Sequence, residues 1–105
     1  MAERHRELVE TEEFTAQLDE IVRRHSADVI VPVLAGILDG IAKKPSAFPQ
    51  TLWGTRLARS DNLGLTIPIF RIIFQIQEEG TENERVLLLW IQEDPTLDEI
   101  TGLVM

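Results

Sequence analysis

The chain has 105 residues, of which 44% are hydrophobic, and this size and composition predict one folded domain that spans residues 1–105. The absence of cysteine excludes disulfide bonds and thiolate metal sites, and a net charge of −8 argues against general affinity for nucleic acid. The first twenty residues are too polar for a signal peptide, and the most apolar segment, residues 29–38, is too short to cross a bilayer. We therefore expect a cytoplasmic protein with no membrane segment.

Charge is unevenly distributed along the chain. Residues 51–77 carry Arg56, Arg59 and Arg71 against Asp61, whereas residues 78–105 are strongly acidic. The middle of the chain is thus locally basic within an acidic protein. Chance placement of solvated charges is the simplest interpretation of this pattern.

The first part of the chain predicts a short strand followed by a helix. Residues 7–10 form a half-apolar run that is typical of an edge strand, and Thr11 is a suitable N-cap for the helix that follows. The apolar stripe of this helix recurs at helical spacing: Phe14, Leu18, Ile21 and Val22. His25 is most simply a helix-end residue, since only His5 could join it in a catalytic or ligand role.

A second helix is predicted after a short link. Ser26 or Asp28 can cap it, and Pro32 is tolerated if it falls in the first turn. Its apolar positions fit the helical template: Ile30, Val33, Leu34, Ile37, Leu38 and Ile41. Gly36 and Gly40 lie four residues apart, which predicts close packing against a neighbouring element. The two helices are expected to form an antiparallel hairpin that covers one face of a sheet.

Residues 52–58 alternate loosely between apolar and polar, which predicts a strand. The predicted faces are Trp53 and Leu57 on one side, with Arg56 and Ala58 on the other. Arg59 follows near the end of this strand. Pro68 is expected at the beginning or edge of the next strand, because it cannot donate a hydrogen bond to the ladder.

The stretch from Ile67 to Gln92 contains two apolar runs joined by an acidic loop, which predicts an antiparallel hairpin. In the first run the apolar residues alternate on one face: Phe70, Ile72, Phe74 and Ile76. Arg71 belongs to the other face with Gln75 and Gln77. A guanidinium group is costly to bury unpaired, so Arg71 is either a solvated strand residue or a binding residue.

The second run of the hairpin, residues 85–92, is almost continuously apolar, as expected for a central strand. Trp90 is interpreted as core or sheet-face packing in preference to a platform for a nucleobase. Residues 96–99 fit a capping box that opens a short C-terminal helix.

Motifs for known site chemistry are absent from the sequence. There is no phosphate-binding glycine loop, no pair of histidines at metal-binding spacing and no nucleophile–base pattern, and the chain contains no tyrosine. The acidic loop, residues 78–84, lacks the spacing of a calcium loop. No cofactor or metal is therefore predicted, and the residues alone indicate an α+β domain.

The order of one strand, two helices and a three-stranded antiparallel sheet resembles the RelE/ParE toxin superfamily of bacterial toxin–antitoxin modules, which include plasmid stabilization systems. The resemblance covers most of residues 7–92, and its local signatures are residues 8–14, 41–45, 70–76 and 86–91. It implies an α+β fold with a short N-terminal strand, an antiparallel helical hairpin packed on a small antiparallel sheet, and a short C-terminal helix.

The resemblance also implies an activity. RelE-like members bind messenger RNA in the ribosome on the concave sheet face and promote attack of a ribose 2′-hydroxyl on the adjacent phosphate. Arg71 matches the arginine of the family's strand, and Arg56 and Arg59 match its basic second strand by location, so these three are the candidate catalytic residues. Phe74 occupies the position where the family carries an aromatic hydroxyl, and the C-terminal segment is acidic.

These departures favour a ParE-like binder of DNA gyrase, or an inactive relative, over a metal-independent, ribosome-dependent ribonuclease. In either case the resemblance implies a small antitoxin protein as partner, covering the sheet or the helical hairpin. The alternative is a non-enzymatic structural or regulatory domain that uses the same fold for protein interaction.

Overall fold

The computed structural model describes residues 5–60 and 68–94, and it describes Leu52 by its backbone alone. In chain order the elements are β1 (Glu7–Glu10), α1 (Glu12–Arg24), α2 (Ala27–Lys43), β2 (Arg56–Arg59), β3 (Phe70–Gln77) and β4 (Arg85–Glu93). The α+β class is confirmed. The helix predicted at residues 96–99 lies outside the described residues. None of the described helices has the length and hydropathy needed to cross a membrane.

The strands form one four-stranded sheet in the order β1-β4-β3-β2. The predicted hairpin is confirmed, because β3 and β4 pair antiparallel, and β2 pairs antiparallel with β3. β4 lies inside the sheet, as its continuous apolar sequence predicts. β1 runs parallel to β4, which it joins at the edge of the sheet although both helices, β2 and β3 lie between them in the chain. The sheet is therefore mixed rather than wholly antiparallel.

Thr11 sets the start of α1 and ties it to the sheet. Its hydroxyl accepts a hydrogen bond from the Phe14 amide at 3.3 Å and donates one to the Leu88 carbonyl at 2.9 Å. Phe14 and Ile21 are buried against the sheet. Val22 is 39% exposed, so its assignment to the buried stripe was wrong. One apolar side chain at the margin of a stripe commonly faces solvent.

Pro32 lies inside α2, beyond the first turn in which a proline is best tolerated. The expectation of close packing at Gly36 was wrong. A Cβ atom placed on Gly36 would meet no atom within 4 Å, so the space beside Gly36 is open. A Cβ atom placed on Gly40 would lie 3.7 Å from the Phe48 ring, which is an ordinary van der Waals contact. Close packing therefore does not explain Gly36. Val29 and Val31, on either side of the buried Ile30, are exposed.

The helices and the sheet share one hydrophobic core on the helical side of the sheet. It combines residues of α1 and α2 with alternate residues of β3 and β4, and it includes Phe14, Ile30, Ile41, Phe70, Ile72, Phe74 and Val86. The alternation predicted for β3 is confirmed, since Phe70, Ile72 and Phe74 have no exposed surface. Burying each such side chain stabilises the fold by about 1.5–3 kcal/mol.

The strand predicted at residues 52–58 begins later than expected. Residues Leu52–Gly54 form a single 3₁₀ turn, and the strand proper is Arg56–Arg59. Trp53 and Gly54 have φ angles of 67° and 71°, and this left-handed backbone cannot continue a strand. Trp53 therefore lies outside the sheet, and its side chain is 91% exposed.

Candidate functional site

The outer face of the sheet, opposite the helices, carries two of the three candidate residues. Alternation along β2 and β3 places Arg59 and Arg71 on this face, and they are cross-strand partners in the register of the β2–β3 pair. Their side chains are 61% and 43% exposed. The prediction that Arg71 lies on an open face rather than in the core is confirmed.

A β-bulge in β4 decides which other side chains join them. Ile73 pairs with Trp90 whereas Phe74 pairs with Leu88, so Leu89 is an extra residue on β4. Before the bulge, Val86 and Leu88 face the core. After the bulge, odd-numbered instead of even-numbered residues face the core. Ile91 is therefore buried, and Trp90 lies on the outer face, where it is 44% exposed.

The reversal also directs Asp94 toward the two arginines. One carboxylate oxygen of Asp94 accepts a hydrogen bond from Arg71, and the other lies 3.9 Å from an Arg59 guanidinium nitrogen. The Asp94 amide donates to the Ile69 carbonyl at 2.8 Å, which fixes the residue beside β3. The chain thus supplies its own carboxylate to the Arg59–Arg71 pair.

The third candidate, Arg56, is not part of this group. It shares the core-facing side of β2 with Ala58 and is the register partner of Phe74. Its guanidinium donates to the carbonyls of Phe48 at 2.7 Å and Ser46 at 3.3 Å, and its side chain is only 14% exposed. Arg56 therefore holds the segment before β2 in place, and it does not face the same space as Arg71.

Phe74 is also on the core side of the sheet. It is fully buried and makes an edge-to-face contact with Phe48, with ring centroids 5.8 Å apart. The resemblance places an aromatic hydroxyl at this position, but an aromatic ring here points into the core. A hydroxyl at residue 74 does not reach the arginines of the outer face.

The centre of the outer face is apolar. We call this region the apolar belt; it consists of Leu57, Ile73, Trp90, Leu87 and Val9, which strand register and alternation place on neighbouring positions. The Arg59–Arg71 pair borders it at one end. At the other end Arg85 donates to the Gln77 side chain at 2.7 Å and is the register partner of Glu7.

Glu93, the neighbour of Asp94, points to the helical side of the sheet. Its two carboxylate oxygens lie 2.6 Å from Arg24 and 2.6 Å from His25, so it joins the end of β4 to the end of α1. This contact accounts for His25 as a helix-end residue. Within residues 5–60 and 68–94, no group of acidic or histidine side chains is arranged to hold a metal ion.

The chain matches no model of a known protein family, no curated protein and no solved structure. The relationship to the RelE/ParE superfamily therefore stays a prediction.

Proposed function

We propose that this chain is a toxin-type protein with a RelE/ParE-like fold that acts by binding a protein through the outer face of its sheet, and not by cutting RNA. The observation that carries the proposal is the Asp94 carboxylate between Arg59 and Arg71. On this proposal the protein works in the bacterial cytoplasm, and a small antitoxin protein neutralises it.

Electrostatics supports a protein partner over a nucleic acid. Among residues 5–60 and 68–94, the charged residues on the outer face are Arg59, Arg71, Arg85, Glu7 and Asp94, three bases against two acids. Nucleic-acid binding depends on several cations that neutralise successive phosphates. A nearly neutral face does not supply them.

The apolar belt supports the same conclusion. Protein interfaces commonly combine a central apolar region, enriched in aromatic residues, with a polar rim that contains arginine. Trp90 is the large aromatic side chain of the belt, and Arg59 and Arg71 stand at its border. Leu57 and Ile73 lie beside Trp90 in the same row of the sheet. This surface fits a protein partner such as the antitoxin or, following the resemblance, DNA gyrase.

Close to the Arg59–Arg71 pair, the described part of the outer face offers no free group for proton transfer in RNA cleavage; the exposed carboxylate of Glu7 lies at the far end of the face, beside Arg85. Attack by a 2′-hydroxyl needs a base and an acid near the scissile phosphate. Phe74 is buried on the other side of the sheet, His25 is bound to Glu93 on the helical side, and Asp94 is bound to Arg71.

Induced expression in a bacterial host tests the proposal. Wild-type protein is expected to arrest growth without cleaving ribosome-bound messenger RNA, as read by primer extension on a reporter transcript. Arg71→Ala is expected to weaken the arrest, because Arg71 lies at the border of the binding surface. Cleavage of the reporter that disappears in Arg71→Ala would establish the ribonuclease instead.

The second candidate function is a structural or regulatory interaction domain without toxicity. The nearly neutral outer face with its apolar belt favours it over an RNA-binding protein. It predicts no growth arrest on expression, together with a defined protein complex that survives salt concentrations at which phosphate contacts are lost. Growth arrest by the wild-type chain would contradict this second candidate function.

A further inference from the structure

The Arg59–Arg71 pair is incompletely occupied by Asp94. Arg71 binds one Asp94 oxygen, but Arg59 approaches the other only to 3.9 Å, which is an ion pair without a hydrogen bond. A carboxylate binds a guanidinium group best through two parallel hydrogen bonds. The internal carboxylate therefore leaves donors of this pair unused.

The Nε atom of Arg71 gives independent support. It is buried and has no hydrogen-bond partner among the described residues. A buried donor without an acceptor is costly, and it gains free energy when an acceptor reaches it. Another oxyanion at this position can satisfy donors that Asp94 does not.

We infer that the Arg59–Arg71 pair is a carboxylate-binding site for an acidic side chain of the protein partner, which displaces Asp94, while aliphatic residues beside that side chain bind Leu57, Ile73 and Trp90. This inference rests on the proposed protein-binding function of the outer face. The carboxylate already present in the site shows that such a group fits between the two arginines.

The spacing of cations on the outer face favours an acidic protein segment over RNA. The next arginine, Arg85, is paired with Gln77, six residues along β3 from Arg71. Six strand residues correspond to about 20 Å. Phosphates along a nucleic-acid strand recur much more closely. The aliphatic residues between the arginines cannot form hydrogen bonds or ion pairs with those phosphates, but they can pack against aliphatic side chains of a protein.

The test uses the full chain with Trp53→Phe, so that Trp90 is its remaining tryptophan and its fluorescence reports on the outer face. The probes are an acetylated, amidated peptide Glu-Glu-Leu-Val-Leu, its Gln-Gln-Leu-Val-Leu counterpart and an oligouridylate of similar length. We expect the glutamate peptide to bind more tightly than the glutamine peptide.

Two further substitutions in the Trp53→Phe chain test the role of each partner in the site. Asp94→Asn is expected to tighten binding of the glutamate peptide by about five-fold, the upper range for an exposed ion pair, because it removes the internal competitor. Arg71→Gln is expected to abolish the preference for glutamate. Asp39→Asn is the matched control, since it removes the same charge from a solvent-exposed site on α2 and should leave peptide binding unchanged.

Equal binding of the glutamate and glutamine peptides, or no gain in Asp94→Asn, would overturn the inference. Tighter binding of oligouridylate than of the glutamate peptide by Asp94→Asn would also overturn it and would assign the site to RNA. Circular dichroism checks that each variant is folded. These outcomes are independent of growth arrest, so the proposed function and this inference can fail separately.

Discussion

Arg71 and Asp94 are joined by a hydrogen bond across the end of the outer face, 23 residues apart in sequence. The contact gives Arg71 a hydrogen-bond partner and places the Asp94 carboxylate near Arg59 as well. The arginine pair that the resemblance assigns to phosphate is thus occupied by a carboxylate of the same chain.

Removing this carboxylate should cost a modest amount of stability. Asp94→Ala leaves the like charges of Arg59 and Arg71 adjacent on neighbouring strands, so we expect the free energy of unfolding to fall by about 0.5–1 kcal/mol. Urea denaturation at low salt measures the loss. Added salt should reduce it, because it screens the repulsion. A loss that salt leaves unchanged would mean that the contact is not electrostatic.

A tyrosine at residue 74 should not create nuclease activity. Phe74→Tyr places a hydroxyl in the core beside Phe48, where we expect it to destabilise the protein by about 1–3 kcal/mol. Thermal unfolding measures the loss, and primer extension on a reporter transcript should show no cleavage. Cleavage by Phe74→Tyr would place residue 74 near the outer face and contradict the register of β3.

Arg56 and Arg59 should behave differently although they are three residues apart. Arg56→Ala leaves the carbonyls of Phe48 and Ser46 without their donor, so the free energy of unfolding should fall by about 1.5–3 kcal/mol. Arg59→Ala, at an exposed position, should change it by no more than about 0.5 kcal/mol. Urea denaturation of both variants compares them directly, and equal losses would contradict the assignment of the two arginines to opposite faces.

The pH dependence of stability should reveal the contacts of Asp39. Its hydrogen bond with Lys43 lowers the pKa of Asp39 below the ordinary value of 3.8, and His5 acts in the same direction. A lowered pKa means that the carboxylate stabilises the folded state above pH 3.8 and that this stabilisation disappears as the pH falls further.

Comparison of wild type with Asp39→Asn measures this effect. The wild type should be slightly more stable at neutral pH, and the difference in thermal midpoint should vanish in acid. A difference that persists in acid would mean that the aspartate stabilises α2 by another route.

Much of the fold follows from sequence patterns. Alternation in residues 70–76 predicts the buried side of β3, and helical spacing predicts the core positions of both helices except at Val22, which is exposed. The start of β2 does not follow, because Trp53 adopts a left-handed backbone that its residue type does not favour. The parallel pairing of β1 with β4 depends on how the whole chain returns to the sheet.

The candidate site is less predictable, and the bulge at Leu89 is the reason. Without the extra residue, the alternation along β4 would place Trp90 and Asp94 on the core-facing side of the sheet, with Val86 and Leu88. No pattern in this apolar run indicates where a residue is inserted. The sequence therefore suggests Arg59 and Arg71 as candidates, but it does not place Asp94 beside them or Trp90 on the same face.

The most direct test of the account compares the two tryptophans during induced expression in a bacterial host. Trp90 belongs to the apolar belt, and Trp53 is exposed outside the sheet, so Trp53→Ala is a matched control for Trp90→Ala. Loss of an aromatic anchor should weaken partner binding by at least about 30-fold. We predict that wild type and Trp53→Ala arrest growth and that Trp90→Ala does not. Equal arrest by all three proteins, or no arrest by the wild type, would contradict the account.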